Sequence, residues 1–446
     1  MTPPSDPPLS KDDLEAYWMP FTANRQYKDN PRVLVAAEGM YYTRDDGKRI
    51  LDGTSGLWCV NAGHGRTAIA EAIAAQAKQL DYSPAFQMGH PLAFKLTAQL
   101  ADMLPGDLDH VFLTNSGSES VETALKIALA FHRRQGEESR LVLVGRERGY
   151  YGANFGGISV GGIAANKEDF GPSLKEGDLL PHTHHPDHNA FSKGAPGWGS
   201  HLADVLEKIV EKHGGKTVAA VIVEPVAGSA GVLVPPKGYL QRLRDICDRH
   251  EILLIFDEVI TGFGRLGSAF ACEKFDVMPD MVTLAKGLTN GAAPMGAVVV
   301  RSYIYDAFLR TDTPGTTIEF AHGYTYSGHP LACAAALAAQ DIYRDEDLFA
   351  RASEIAPYWE EAVHSLKGLP HVTDIRNMGL AAGIDLEPIP DKPAARAFEI
   401  YLRAFEEGLL IRTTGDIISL SPPLIIERHE IDRMMELLTT LLKQAA

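Results

Sequence analysis

Two predicted strands end in side chains of opposite charge that could share one reaction site. The apolar run 252–258 ends in an acidic pair that begins at Asp257, and the run 281–287 carries Lys286 at its end. In an open α/β sheet, ligands bind at the carboxyl ends of the strands, so both side chains should face one crevice. An Asp and a Lys in such positions can also form an ordinary ion pair, and a third element is needed to decide.

That third element is a predicted anion site. Residues 112–120 are typical of a strand, a Ser/Gly turn and the start of an amphipathic helix, which together point backbone N–H groups at an anion. The turn alone is weak evidence, because Ser118 is also a favourable N-cap residue. A phosphate cradle, a carboxylate and a lysine are what pyridoxal 5′-phosphate (PLP) requires. The lysine forms a Schiff base with the cofactor, and the carboxylate keeps its pyridine nitrogen protonated.

Helical and strand-like segments alternate between about 67 and 330. This pattern predicts an α/β fold whose large domain has a mostly parallel, mixed sheet flanked by helices. The helices and short strands after 330 predict a small α+β domain, which both chain ends would form together. We expect an N-terminal segment of the small domain over 1–60, a large PLP-binding domain over 61–328 and the C-terminal part of the small domain over 329–446.

Composition removes several classes of function. The 446 residues include 42 basic and 58 acidic side chains, and the net charge of −16 disfavours nucleic acid or an anionic membrane as the main partner. The 4 cysteines are dispersed, which disfavours a disulfide framework or a thiolate metal site. No apolar stretch reaches the roughly 20 residues that span a bilayer, and the N-terminus is no secretory signal. We expect a cytoplasmic protein.

Two further motifs invite other interpretations. Residues 262–267 match G-x-G-x-x-G, but they lack the tight strand–turn–helix context of a dinucleotide site, so we expect the glycines to let a loop pass close to other backbone. Residues 182–188 contain four histidines in a Pro-bounded loop. We expect no metal site there, because that spacing does not face one ion and no carboxylate or thiolate cluster is expected nearby.

Taken in order, the motifs resemble those of class III (fold type I) PLP-dependent aminotransferases, and within them the ω-amino acid:pyruvate, or β-alanine:pyruvate, transaminases. The matching segments cover most of the chain and are 18–25, 114–120, 152–162, 257–265, 284–287 and 323–330.

The resemblance implies a role for each matching residue. Lys286 would be the Schiff-base lysine and proton carrier, and Asp257 the partner of the pyridine nitrogen. The other expected cofactor contacts are Ser116, Gly117, Ser118, Tyr150, Gly152, Glu224, Val259 and, from the other subunit, Thr325. The expected substrate contacts are Phe21, Trp58, Phe86, Tyr150, Ala230 and the carboxylate-binding Arg412. This chain has Tyr151 where the family usually has histidine, so the role of that position is open.

The function implied is a ping-pong transfer of an amino group from an ω-amino acid or amine to pyruvate, which yields an aldehyde, ketone or oxo acid and L-alanine. The enzyme would be a homodimer or homotetramer whose partners are small molecules. Within the same fold the alternatives are a 4-aminobutyrate or polyamine transaminase using 2-oxoglutarate or pyruvate, an aminomutase, and a decarboxylase. A non-catalytic protein that retains the fold is the alternative of another class.

Overall fold

The structure, a computed structural model, describes residues 9–170, 177–309 and 314–445. Its strands are β1 Leu34–Glu38, β2 Tyr41–Arg44, β3 Arg49–Asp52, β4 Leu108–Thr114, β5 Val142–Arg146, β6 Asp178–Leu180, β7 Val218–Val223, β8 Leu253–Asp257, β9 Met281–Leu284, β10 Gly296–Arg301, β11 Val372–Met378, β12 Ala381–Leu386, β13 Leu409–Leu410, β14 Arg412–Thr414 and β15 Ile417–Leu420. Its α-helices are α1 Lys11–Ala16, α2 Asn24–Asp29, α3 Ser55–Trp58, α4 Thr67–Gln79, α5 Pro91–Met103, α6 Gly117–Arg134, α7 Phe155–Val160, α8 Pro186–Asn189, α9 Val205–His213, α10 Tyr239–His250, α11 Ala271–Phe275, α12 Ser302–Asp306, α13 Pro330–Asp345, α14 Leu348–His364, α15 Ala395–Glu407 and α16 Arg428–Gln444.

A seven-stranded sheet in the order β4-β10-β9-β8-β7-β5-β6 forms the centre of the molecule. Its pairs are parallel except that β10 runs antiparallel to both of its neighbours, so the predicted mostly parallel, mixed sheet is confirmed. Every residue of β7 and β8 is buried. Strands covered on both faces have no solvent side, which explains why these two read as continuous apolar runs. The amphipathic helix α6 packs on one face of this sheet.

The two ends of the chain meet in a smaller sheet of order β1-β2-β3-β13. Strand β13 pairs in parallel with β3, Leu409 opposite Leu51, which joins residues more than 350 positions apart. A third sheet, β11-β12-β15-β14, is antiparallel throughout. The contact between the chain ends agrees with a small domain built from both termini, whose boundaries at 60 and 328 stay predictions.

One predicted strand is wrong. The pattern predicts a single strand over 409–412, whereas the chain leaves one sheet after Leu410 and enters another at Arg412. Ile411, between them, is buried, so the apolar run is continuous where the chain passes from one sheet to the other. Periodicity alone therefore does not reveal the change of sheet.

The 262–267 loop passes close to other parts of the chain, as predicted. Gly264 has φ +91°, and a Cβ there would lie 2.4 Å from the Phe349 ring of α14. The next residue, Arg265, is fully buried, and its guanidinium ties this loop to segments from both chain ends. It donates to Ser55 Oγ and Asn61 Oδ1 at 2.8 Å each, to Leu380 O at 3.2 Å and to Pro422 O at 2.5 Å.

The four loop histidines do not converge on one point. His182 stacks on His185 with ring centroids 5.1 Å apart, and His188 stacks on Trp198 at 4.1 Å. The expectation that no carboxylates lie nearby is wrong, because His184 lies beside Asp374 and Asp385 of β11 and β12, far away in the sequence. Arg376 forms ion pairs with both of these carboxylates, at 2.8 and 2.7 Å, which leaves an internal ion-pair network at this position.

Within the described ranges, no helix combines the length and the apolarity that crossing a membrane requires. A cytoplasmic location stays a prediction.

Candidate active site

A buried cavity of about 140 Å³ opens at the carboxyl ends of the central strands. It brings together every predicted cofactor residue except Thr325, although they come from five separate segments. The lining residues are Ser116, Gly117, Ser118, Tyr150, Gly152, Glu224, Ser229, Asp257, Val259, Ile260, Ala285 and Lys286. A sheet with parallel strands gathers the residues that follow each strand at one edge, which is why the juxtaposition could be anticipated.

The N-terminus of α6 forms one wall of this cavity. Ser116, not Ser118, is the N-cap residue, and its Oγ accepts a hydrogen bond from Glu119 N at 3.2 Å. The backbone N–H groups of Gly117 and Ser118 donate to no described residue, so they are available to an anion. Ser118 Oγ instead accepts from Ala153 N at 3.1 Å, which fixes the loop after Tyr150.

Both cavity glycines lie close to neighbouring segments. A Cβ at Gly152 would lie 2.7 Å from Ser118 Cα, and a Cβ at Gly117 would lie 3.0 Å from a methyl of Val259. A larger residue at Gly152 would push the loop away from the helix N-terminus, and one at Gly117 would require the Val259 side chain to shift.

Asp257 is the last residue of β8 and is buried. Its Oδ1 accepts a hydrogen bond from Val259 N at 3.0 Å. Burial raises the pKa of this carboxyl to about 6, and the hydrogen bond and the nearby Lys286 amine oppose the rise. Because β8 ends at Asp257, Val259 reaches the cavity from the turn beyond the strand.

Lys286 follows β9 and begins a short 3-10 turn. Its φ of +50° lies in the left-handed region, a strained conformation for a residue with a side chain and one that clusters at functional sites. Burial lowers the pKa of its amine to about 8, against the attraction of Asp257 and Glu224. A substantial fraction of the amine is therefore neutral near physiological pH, the form that can act as a nucleophile or a base.

Glu224 follows β7 and accepts a hydrogen bond from Tyr150 N at 3.0 Å. Burial, with a contribution from Asp257, raises the pKa of its carboxyl to about 8. The site thus contains a second carboxyl that is mainly protonated at neutral pH and can donate a hydrogen bond to an oxygen in the cavity.

Tyr151, whose role the sequence left open, does not line the cavity. Its ring is 1% exposed and belongs to a buried apolar cluster beneath the central sheet. A Cβ at the neighbouring Gly149 would lie 2.5 Å from the Tyr151 hydroxyl, so the Tyr151 side chain fills the space that a side chain at position 149 would need.

Arg412 lies at the start of β14 and is half-buried. It forms no ion pair with any described residue, and burial lowers its pKa without neutralising it. Tyr150, which lines the cavity, opposes that decrease in pKa, whereas Arg412 itself is not one of the lining residues. A half-buried guanidinium without a carboxylate partner is suited to bind a substrate carboxylate.

The other predicted substrate residues divide into two groups. Trp58 and Ala230 are buried at 2% and 3% exposure, and Trp58 packs in the same apolar cluster as the cavity residue Ile260. Phe21 and Phe86 are 78% and 59% exposed and lie outside the cavity of their own chain.

Thr325 is exposed as well, and its carbonyl accepts a hydrogen bond from Tyr82 Oη at 3.0 Å. The single chain therefore does not bring Thr325, Phe21 or Phe86 to the site. Three residues that do line the cavity escaped the sequence analysis. Ile260 and Ala285 lie within the matching segments 257–265 and 284–287 but were assigned no role, and Ser229 lies in a run of small residues after β7.

A strand-end lysine, a strand-end carboxylate and a helix N-terminus around one cavity define the chain as an α/β enzyme of the fold type I class. The family model for class III aminotransferases matches residues 22–442, and the chain belongs to this family. Class III aminotransferases are PLP-dependent.

Individual relatives agree with that assignment. An omega-aminotransferase of Caulobacter vibrioides is 59% identical over 98% of this chain and 99% of its own length. A beta-alanine–pyruvate aminotransferase of Pseudomonas aeruginosa is 50% identical over 96% of each chain. Among solved structures, an (S)-enantioselective omega-transaminase from Thermomicrobium roseum superposes with a TM-score of 0.90 at 35% identity over 97% of both chains.

The lowered pKa of Lys286 predicts how PLP uptake by the apoprotein depends on pH. The fraction of neutral amine rises through a pKa of about 8, so the uptake rate should rise with pH and level off above that value. Stopped-flow absorbance after mixing apoprotein with PLP measures this rate, and K286A, which lacks the amine, is the control. A rate that keeps rising toward 10.5, the ordinary pKa of a lysine, would contradict the assignment.

Proposed function

We propose that this chain transfers the amino group of an ω-amino acid such as β-alanine to pyruvate. The observation that carries the proposal is the cavity that unites Lys286, Asp257 and the helix N-terminus, with Arg412 unpaired beside it. The similarity to beta-alanine–pyruvate and omega-amino acid–pyruvate aminotransferases over 94% or more of their lengths supports the choice of substrates.

The residues of the cavity fit PLP. The free N–H groups of Gly117 and Ser118 suit its phosphate, the Asp257 carboxylate suits its pyridine nitrogen, and the Lys286 amine suits its aldehyde carbon. Glu224 and Tyr150 would adjoin the ring. When bound, PLP supplies an electron sink that stabilises negative charge at the donor carbon.

Lys286 Nζ then moves the proton. Its lowered pKa keeps part of the amine neutral, so Nζ can take a proton from the donor carbon. The same atom can then release that proton to the cofactor without a large energetic cost. The Asp257 carboxylate would stay negatively charged beside the protonated pyridine nitrogen, and would so keep that nitrogen protonated through the reaction. Its own raised pKa of about 6 applies without such a partner, and a bound cation would lower it.

Arg412 would bind the carboxylate that β-alanine and pyruvate share. Replacement by alanine (R412A) should raise KM for β-alanine and pyruvate by about ten- to a hundredfold, the loss of one charge-assisted contact of about 1.5–3 kcal/mol. A donor without a carboxylate, such as 1-phenylethylamine, should keep its KM within about twofold. Steady-state kinetics with both donors measure the difference, and equal losses for both would contradict the role of Arg412.

We further propose that the enzyme is a homodimer, or a homotetramer built from such dimers. Phe21, Phe86 and Thr325 match family site positions yet lie outside their own cavity, and Trp18 and Tyr326 also expose large aromatic rings. On dilution, specific activity should fall together with the dimer fraction measured by analytical ultracentrifugation. A fully active monomer would overturn this proposal.

A panel of donors and acceptors tests the proposed substrates. β-Alanine, 4-aminobutyrate, putrescine and 1-phenylethylamine are each paired with pyruvate and with 2-oxoglutarate, and the amino acid product is quantified. The proposal expects the highest kcat/KM for β-alanine with pyruvate. A clear preference for 2-oxoglutarate, or for putrescine, would reassign the enzyme within class III.

A further inference from the structure

The turn between Ala227 and Leu233 is held at successive carbonyl groups by side chains from three distant segments. It closes through an antiparallel bridge, with Ala227 N to Leu233 O at 3.1 Å and Leu233 N to Ala227 O at 2.9 Å. Within it, Gly231 and Val232 have φ of +101° and +59°. A β-branched residue in the left-handed region is strained, so the surrounding structure must enforce this conformation.

The three contacts fall on consecutive residues. Thr414 Oγ1 donates to Ser229 O at 3.0 Å, and Arg148 Nη2 donates to Ala230 O at 3.0 Å. Arg376 donates to the carbonyl of the following glycine through Nε at 3.0 Å and Nη2 at 2.6 Å, and its Nε also reaches Val232 O at 3.1 Å. We call these three donors, Thr414, Arg148 and Arg376, the carbonyl clamp.

One of the three clamp residues, Arg376, is itself held in place by ion pairs. Arg376 is 4% exposed and pairs with Asp374 and Asp385, so its guanidinium cannot rotate freely. The turn also fits closely against β12, where a Cβ at Gly383 would lie 2.2 Å from Gly231 O. Only a glycine at position 383 leaves room for the Arg376 guanidinium to reach the carbonyl oxygen of Gly231.

The clamp acts on a wall of the active site. Ser229 lines the cofactor cavity, and Ala230 is the expected small residue of the substrate pocket. Thr414 lies on the same short strand as Arg412, two residues away. The hydrogen bond from Thr414 therefore links the strand of the carboxylate-binding arginine to the turn that faces the rest of the substrate.

We propose that Arg148, Arg376 and Thr414 are specificity-determining positioning residues, which set the distance between the Ser229–Ala230 wall and Arg412 and thereby the size of donor accepted. This inference rests on the proposed aminotransferase function. None of the three lines the cofactor cavity, so they would act through the turn. Loosening the clamp should let the wall retreat, which weakens the fit of a short donor and admits a bulky one.

Two variants test the proposal without leaving a buried carboxylate unpaired. Arg148→Met removes the donor to Ala230 O, and Arg148 forms no ion pair with any described residue. Thr414→Val removes the hydroxyl at nearly constant volume, and Thr414→Ser keeps it. Arg376 is left unchanged, because a neutral side chain there would leave Asp374 and Asp385 unpaired and endanger folding.

Two readouts are compared. The first is the ratio of kcat/KM for 1-phenylethylamine to that for β-alanine, with pyruvate as acceptor. It should rise about tenfold in Arg148→Met and Thr414→Val, mainly through a higher KM for β-alanine, and return to the wild-type value in Thr414→Ser. The second is amide hydrogen exchange of the 227–233 turn in the apoprotein, which should become at least about tenfold faster in the same two variants.

Arg301→Met is the matched control. Arg301 is also partly buried and pairs with Asp107 at 2.7 Å. It lies at the amino ends of the parallel strands, the side away from the cavity, where β10 ends beside the start of β9. It should change neither readout.

Faster exchange with an unchanged donor ratio would overturn the role in specificity. Unchanged amide exchange of the 227–233 turn in both variants would show that the clamp residues do not hold the turn. A wild-type protein that transaminates no donor would overturn the proposed function and the specificity role together, and the exchange data would separate that failure from a failure of the clamp.

Discussion

Replacing Lys286 by alanine is expected to lower kcat for every donor by at least about 10⁴-fold. The variant loses both the amine that binds PLP covalently and the base that moves the proton, and general acid–base catalysis alone contributes about 10²–10⁴. Lys286 is the one lysine among the residues that line the described cavity, and its backbone lies in the left-handed region just after β9. Single-turnover kinetics with β-alanine and pyruvate measure the loss.

The control is Lys216→Ala, which removes an exposed lysine that pairs with Glu137 on the surface. Its kcat should stay within about twofold of wild type, since exposed ion pairs contribute little. Turnover that survives in K286A would contradict the mechanism, because no other lysine lines the described cavity.

Replacing Asp257 by asparagine should lower kcat by about 10²–10³-fold, the effect of removing one preorganised electrostatic contact from an active site. The amide keeps the shape of the side chain and can still accept from Val259 N, but it cannot hold a proton on the pyridine nitrogen. PLP should still bind, because the phosphate contacts and Lys286 remain. The expected signature is therefore a fall in kcat with little loss of bound cofactor.

The adjacent Glu258 offers a matched control. It is also a buried carboxyl, but it accepts hydrogen bonds from Ala271 N and Cys272 N at 2.5 and 2.8 Å and so caps helix α11. Glu258→Gln should lower Tm and leave kcat within a few-fold of wild type. If both variants lost kcat equally, Asp257 would have no special electrostatic role.

Much of the fold and of the cofactor site was predictable because both depend on strongly patterned elements. Buried parallel strands have continuous apolar sequences, and the rule that ligands bind at their carboxyl ends places Asp257 and Lys286 in one crevice from the sequence alone. The Ser/Gly turn was recognisable from its residue types, although Ser116 and not Ser118 proved to be the helix N-cap.

The features that escaped prediction depend on contacts between distant parts of the chain. No local pattern marks the crossing between sheets at Ile411, since the buried run is continuous there. Nor does any pattern place Asp374 and Asp385 beside His184, because β-strands about 200 residues later bring them there. The placement of Thr325 in a neighbour's site depends on a second chain and stays a prediction.

The most direct test of the central claim is to follow the absorbance of bound PLP through the two half-reactions. β-Alanine added to the purified holoenzyme without an acceptor should bleach that absorbance, and pyruvate added afterwards should restore it with release of one equivalent of L-alanine. An absorbance that β-alanine leaves unchanged, in protein that carries PLP at full occupancy, would contradict the assignment.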